Sequence, residues 1–203
     1  MSDYLSRPCT AFAGLRQLAS GPLIDVALAI KAAETDDTVL AFDDASGEVV
    51  DLDLRGTTAE IVTRLTEHGE LEALAARHRN RPASDGPARG RGRPRLGVVA
   101  REVTLLPRHW EWLASQPGGA SQALRRLVDE ARRADGGQSR AKAARERAYR
   151  FLSALAGDLP GFEEATRALF AADAGAFADR MADWPPDVRH HAMRLATAVP
   201  AKD

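Results

Sequence analysis

Cysteine is almost missing from this chain. Cys9 is the single one in 203 residues. No disulfide can close within the chain, no zinc site can be built from cysteine alone, and a reducing cytosol is the matching compartment. Long apolar runs are missing as well. None approaches the roughly 18–20 residues that cross a bilayer, and Met1–Pro8 is polar rather than signal-like. A cytoplasmic protein with no membrane span is expected. Catalytic spacing is the third absence. The chain shows no Ser/His/Asp order, no phosphate-cradling glycine loop after a strand and no metal triad. Cys9 lacks the surroundings of known catalytic cysteines and reads as a small buried hydrophobe. His68 has no nucleophile at a recognisable distance. His190 and His191 would point about 100° apart on a helix, so they do not form a metal pair; one solvated and one packed histidine is the expectation. Asp36-Asp37 and Asp43-Asp44 lack the loop spacing and glutamate of an EF-hand and read as solvated turn carboxylates. No enzyme and no cofactor is expected.

Charge is plentiful but unevenly placed. Residues 1–76 hold 5 Lys/Arg and 14 Asp/Glu, residues 77–150 hold 18 and 7, and residues 151–203 hold 5 and 8, within a net charge of -1. Positive charge concentrated in the middle of a chain is the electrostatic footprint of a nucleic-acid binder. The bland alternative is that the acidic N-terminal part pairs with the basic middle.

Arg77–Arg95 is a linker by composition. Asn80, Pro82, Ser84, Gly86, Pro87, Gly90, Gly92 and Pro94 break regular structure, and the arginines keep it solvated. Within it, Arg91-Gly92-Arg93-Pro94-Arg95, preceded by Arg89, resembles the core of an AT-hook, a minor-groove binding motif. Gly92 lets the backbone approach the groove floor, Pro94 steers the chain into an extended track, and arginines suit the negative potential of a narrow A·T groove. Nonspecific phosphate contact by a solvated basic arm is the competing reading.

After the arm come a β-prone run, Val98–Pro107, and two amphipathic helices, roughly Arg108–Gln116 and Ser121–Arg133, around a Pro-Gly-Gly break. Pro107 stops the strand and suits a first helical turn. Trp110, Leu113 and Ala114 share one face of the first helix, with Trp112 off it. Leu124, Leu127, Val128 and Ala131 share a face of the second. Ser121 is the expected N-cap, and that helix start would offer amides to a phosphate. Strand, helix, turn, helix resembles a ribbon-helix-helix module, in which two chains pair their strands and insert them into the major groove. The resemblance implies a homodimer. Counting back from Pro107 turns Arg101, Val103 and Leu105 outward, and a slip of one residue turns Glu102, Thr104 and Leu106 outward instead, so Arg101 in one register or Thr104 in the other is placed to read bases. This sequence departs from the pattern, because Val103-Thr104-Leu105-Leu106 does not alternate cleanly and Glu102 would repel phosphate.

The flanks complete an α+β chain. Thr10–Ala13 and Arg16–Ala19 flank Gly14 as a hairpin. Gly21-Pro22 opens a helix with Leu23, Val26, Ala27, Ile30 and Ala33 on its buried face. Val39–Phe42 and Val49–Leu54 are strands joined by the turn-rich Asp43–Gly47. Thr57 and Glu60 make a capping box for a helix carrying Ile61, Leu65 and His68 on one face, and Leu71–Arg77 reads as a further short helix. From Gln138 the chain reads as a small bundle: Gln138–Ala156, Phe162–Ala172, Gly175–Asp183 and Asp187–Val199. The expected domains are 1–76 (α+β), 77–96 (disordered basic linker), 97–134 (ribbon-helix-helix-like) and 138–203 (helical bundle).

Taken together, TAFAG and ASGPLIDVALAIKAAE near the start, GRPRLGVVAREVTLLPRHWEWLASQPGGASQALRRLVDEARR in the middle, and YRFLSALAGDLPGFEEATRALF with DWPPDVRHHAMRLA near the end resemble the bacterial family of domain of unknown function 2239. That resemblance implies a bacterial, cytosolic protein and supplies no reaction or site residue. From the residues, the expectation is a DNA-binding protein, a dimeric regulator using the arm and the two-helix module. The alternative is a protein-interaction or antitoxin-like module with a protein partner and no sequence-specific DNA binding.

Overall fold

A four-stranded antiparallel sheet in the order β2-β1-β3-β4 is the frame of the first of two compact units. The computed structural model describes residues 4–79 and 102–197. In chain order the elements are β1 (Pro8–Ala13), β2 (Arg16–Pro22), α1 (Leu23–Ala32), β3 (Val39–Asp43), β4 (Val49–Val50), α2 (Thr58–Arg79), α3 (Pro107–Ala114), α4 (Gly119–Asp135), α5 (Gln138–Leu155), α6 (Phe162–Phe170), α7 (Ala174–Arg180) and α8 (Pro186–Ala196). The chain is α+β, as its pattern of elements implies. One unit comprises Met1–Glu72 with Gly137–Asp203, the other Ala73–Gly136.

β1 is one of the two inner strands of the sheet. It pairs with β2 from Pro8↔Pro22 to Ala13↔Arg16 and with β3 from Cys9↔Asp43 to Ala13↔Val39. Successive strand residues point to opposite faces, and both faces of β1 are buried. Cys9 and Ala11 join Leu23, Val26 and Ala27 of α1 and Ile61 and Leu65 of α2 in one cluster. Phe12 joins Phe42 of β3, Ala148, Phe151 and Leu152 of α5, and Val188, Ala192 and Leu195 of α8 in the other. The sheet thus lies between helices drawn from opposite ends of the chain. The sequence reading divides these residues between an N-terminal domain and a C-terminal bundle; in the structure they share a core. The physical reason lies in Pro8–Ala13: a strand apolar on both faces needs two covering layers, and α1 and α2 supply only one.

Local signals in this unit form as the residues dictate. Gly14, at φ +55°, turns the β1–β2 hairpin. α1 starts after Pro22, which serves as its N-cap, and buries Leu23, Val26 and Ala27. The capping box closes: Thr57 N–H donates to Glu60 Oε2 at 2.7 Å, and Glu60 N–H donates to Thr57 Oγ1 at 3.3 Å. α2 then runs unbroken to Arg79, through the expected break before Leu71 and the first residues of the expected linker. β4 is shorter than the expected Val49–Leu54. The Arg64 guanidinium takes the Asp53 carbonyl and, at 3.1 Å, the Arg55 carbonyl, so these groups bond a helix side chain instead of a neighbouring strand.

A polar network ties the sheet to α8. Thr10, fully buried, donates to Asp44 Oδ1 at 2.9 Å, and the Arg194 guanidinium reaches Thr10 Oγ1 at 3.1 Å and Asp44 Oδ2 at 3.2 Å. Asp44 is therefore an anchoring carboxylate, not the solvated turn residue expected from its sequence context. Arg194 also donates to His191 Nδ1 at 2.7 Å. A guanidinium cannot accept, so Nδ1 is the lone-pair nitrogen and the ring proton sits on Nε2. That Nε2 is buried without a hydrogen-bond partner, 3.8 Å from Asp44 Oδ1. The contact is not an ion pair, because burial, with the nearby Arg194, His190 and Arg147, holds the imidazole pKa down to about 3. Burial in turn pushes the Asp44 carboxyl up, opposed by the Thr10 hydrogen bond and by Arg194.

These shifts predict an acid-labile fold. In the unfolded chain His191 takes up a proton as the pH falls below about 6.5, while the folded protein refuses it until about pH 3. Stability therefore falls with pH across that window, by up to about 1.4 kcal/mol per pH unit. Asp44 has the opposite sign: its raised folded pKa gives stability that is present at low pH and lost as pH rises through it. The histidine shift is the larger, so urea midpoints should drop between about pH 7.5 and about pH 5. In His191→Phe that drop should shrink; an unchanged drop would mean another group causes it.

Candidate nucleic-acid interface

The second unit holds the residues that the sequence pattern associates with DNA. Pro107 stands at the start of α3, whose N-cap, Leu106, is extended at φ -66° and ψ 151°. Among the described residues, Glu102–Leu106 carries no strand pairing, and Thr104 is exposed on it. α3 and α4 pack on each other. Gly118, in the left-handed region at φ 81°, is the N-cap of α4, with the Gln122 side chain lying against it. Ser121 is consequently not the N-cap. The helix begins two residues before it, because the two glycines permit a turn that a serine cannot enter cheaply. Ser121 is exposed in the first turn of α4.

The apolar faces of this unit are mostly uncovered. Leu113 at 3% and Ala123 at 2% are buried, whereas Trp110 at 42%, Trp112 at 49% and Val128 at 55% are exposed. Leu124 is half-buried, and Ala114 and Ala131 are exposed. The expected faces thus exist as patterns, but only Leu113 of the expected set is enclosed. Ala123, which the pattern did not single out, is the buried contact of α4; a small residue there permits close helix approach.

The charge divides differently from the coarse count. Residues 102–136 hold five arginines and five Asp/Glu, so the helix pair is balanced, while residues 77–101 hold eight arginines and one aspartate. Arg126 is tied to Glu130 at 3.9 Å and to Gln116 at 3.4 Å; Arg108, Arg125, Arg132 and Arg133 are exposed. Of the residues expected to meet DNA, Thr104 and Ser121 are described. Arg89, Arg91, Gly92, Arg93, Pro94, Arg95 and Arg101, with the AT-hook-like core, lie outside the described residues, as do positions 98–101 of the expected strand.

Among the described residues no helix is long and apolar enough to cross a membrane, and no group of three or more His, Cys, Asp or Glu is placed to hold a metal ion. Residues 8–196 match the family described as an uncharacterized protein conserved in bacteria (DUF2239). The chain belongs to that family. Searches of curated proteins and of solved structures give no match. Family membership covers both units, so the arm and the helix pair belong to the matched region. It brings no reaction with it, and the functional reading rests on the residues.

Proposed function

We propose that the protein binds duplex DNA, mainly through charge, as a dimeric regulator of transcription. The observation that carries this reading is the arm: eight arginines against one aspartate in residues 77–101. Arg91, Arg93 and Arg95 follow an A·T minor groove and neutralise the phosphates along it, with Gly92 and Pro94 setting the backbone track and Arg89 on a further phosphate. The second unit is the dimerising platform. Two copies pair their Glu102–Leu106 segments and cover each other's exposed Trp110 and Trp112. According to the register, either Arg101 or Thr104 then faces the major groove, and the α4 start near Ser121 offers amides to a phosphate.

A second reading is favoured by the same helix pair. Its balanced charge and exposed tryptophans suit a protein partner as well as a second copy. Binding of labelled A·T-rich and G·C-rich duplexes separates the two. The DNA reading expects both duplexes to bind, A·T-rich a few-fold tighter, and the combined Arg91→Ala, Arg93→Ala, Arg95→Ala variant to lose that preference. It also expects light scattering to give twice the 21.9 kDa chain mass. If neither duplex binds at low salt, the interaction-module reading replaces it.

A further inference from the structure

The geometry points to a binding site for a free apolar α-amino acid among the helices of the first unit. A pocket of about 150 Å³ opens between α5, the turn after α6, α7 and α8, lined by Ala141, Leu169, Ala172 and Phe177, with Arg145 and Asp173 also on its wall. Leu169 and Phe177 are buried and give it an apolar floor. An apolar cavity of this volume holds a group about the size of benzene, so a leucine or phenylalanine side chain fits.

Two charges on the wall have free valence. Along α5, Lys142 pairs with Glu146, Arg147 donates to the Leu195 and Thr197 carbonyls, and Arg150 donates to the Ser46 carbonyl. Arg145, half-buried beside them, has no hydrogen-bond or ion-pair partner among the described residues. Its guanidinium nitrogens reach solvent, and a carboxylate is their best-matched bidentate partner. Asp173 caps α7, its Oδ1 accepting from Ala176 N–H at 2.9 Å. Asp173 is exposed, and its Oδ2 faces no protein partner among the described residues. A lone carboxylate ligand would meet Asp173 as a like charge, and a lone amine would meet Arg145 as one. A zwitterion satisfies both: its carboxylate on Arg145, its ammonium on Asp173, its side chain on the Leu169–Phe177 floor.

The lining residue next to Asp173 is held in a costly conformation. Ala172, at φ 60°, is the one non-glycine residue with positive φ among the described residues. It closes α6 as a Schellman turn, with Ala172 N–H donating to Leu169 O at 3.1 Å and Asp173 N–H to Ala168 O at 3.1 Å. Glycine is the favoured residue there. Alanine instead puts a methyl group on the pocket wall.

The site does not rest on the DNA reading, and neither outcome below bears on that reading. The experiment is calorimetric titration of the full chain with L-leucine and L-phenylalanine, beside 4-methylpentanoate, which lacks the amine, and isopentylamine, which lacks the carboxylate. At least one amino acid should bind in the micromolar to millimolar range, with each analogue at least tenfold weaker. Arg145→Gln should weaken the amino acid at least tenfold, and so should Asp173→Asn, whose amide oxygen keeps the cap. Ala172→Gly should raise the melting temperature and yet weaken binding, a combination that loss of folding cannot produce. No binding of either amino acid at millimolar concentration overturns the proposal, as does unchanged affinity in Arg145→Gln or equal binding of isopentylamine.

Discussion

Phe151→Ala is expected to destabilise the first unit by about 3–5 kcal/mol, the range for truncating a fully enclosed aromatic. Phe151 has no solvent exposure, and its ring centroid lies 4.9 Å from Phe42, 5.3 Å from Phe12 and 4.6 Å from His191. Those partners come from β3, β1 and α8, so one truncation removes support from both ends of the chain. At roughly 2–4 °C per kcal/mol for a unit of this size, the melting temperature should fall by about 10 °C. Hydrogen exchange distinguishes a shared core from two separate domains. Amides of β1 and of α8 should lose protection together in the variant. A β1 that keeps its protection while α8 loses it would mean the sheet is stable without the helices.

Gly47→Ala should be comparably severe, for a different reason. Gly47 sits at φ 73° in the turn between β3 and β4, and a Cβ there would run into the Arg147 carbonyl of α5. The obstacle is backbone, which cannot swing aside as a side chain can. The turn is fastened just before it, by Arg150 donating to Ser46 O at 2.9 Å and by Asp43 Oδ1 accepting from Ala45 N–H at 2.7 Å. Left-handed backbone alone costs a non-glycine residue about 1–2 kcal/mol, and displacing α5 adds the cost of overpacking, about 1–3 kcal/mol. An unfolding free energy from urea titration lowered by less than about 1 kcal/mol would show that the turn does not press on α5.

What the sequence makes legible is local. The Gly14 hairpin, the Thr57–Glu60 capping box and the four C-terminal helices form because their signals lie within a few residues of the structure they produce. The exposed His190 and packed His191 follow from neighbouring positions on one helix. The polar network is not legible, since Arg194 meets Thr10 across 184 positions and nothing in DDASG marks Asp44 as an anchor. β4 is short for a similar reason: Arg64, on the next helix, takes the Asp53 carbonyl, which the strand pattern assigns to a ladder. At Ser121 two signals compete, and the glycines at 118 and 119 start α4 first. Burial of both faces of β1 is written in PCTAFA, but which helices supply the second layer is decided by chain far downstream. Arg145 carries no mark in the sequence that separates it from the other basic residues of α5; its lack of a partner emerges only from the packed bundle.

The central claim, that the arm holds DNA by charge, is tested most directly by the salt dependence of affinity. Each arginine–phosphate contact should contribute about -0.9 to the slope of log affinity against log salt. Wild-type protein titrated onto one duplex across a salt series should therefore give a steep negative slope. The variant lacking the side chains of Arg91, Arg93 and Arg95 should give a slope shallower by roughly 2–3, with the exact change set by how many of the three meet phosphate. Replacing Arg101 and Thr104 should leave the slope within about one contact of wild type. A wild-type affinity that does not change with salt, or a triple variant whose slope matches wild type, would contradict the claim.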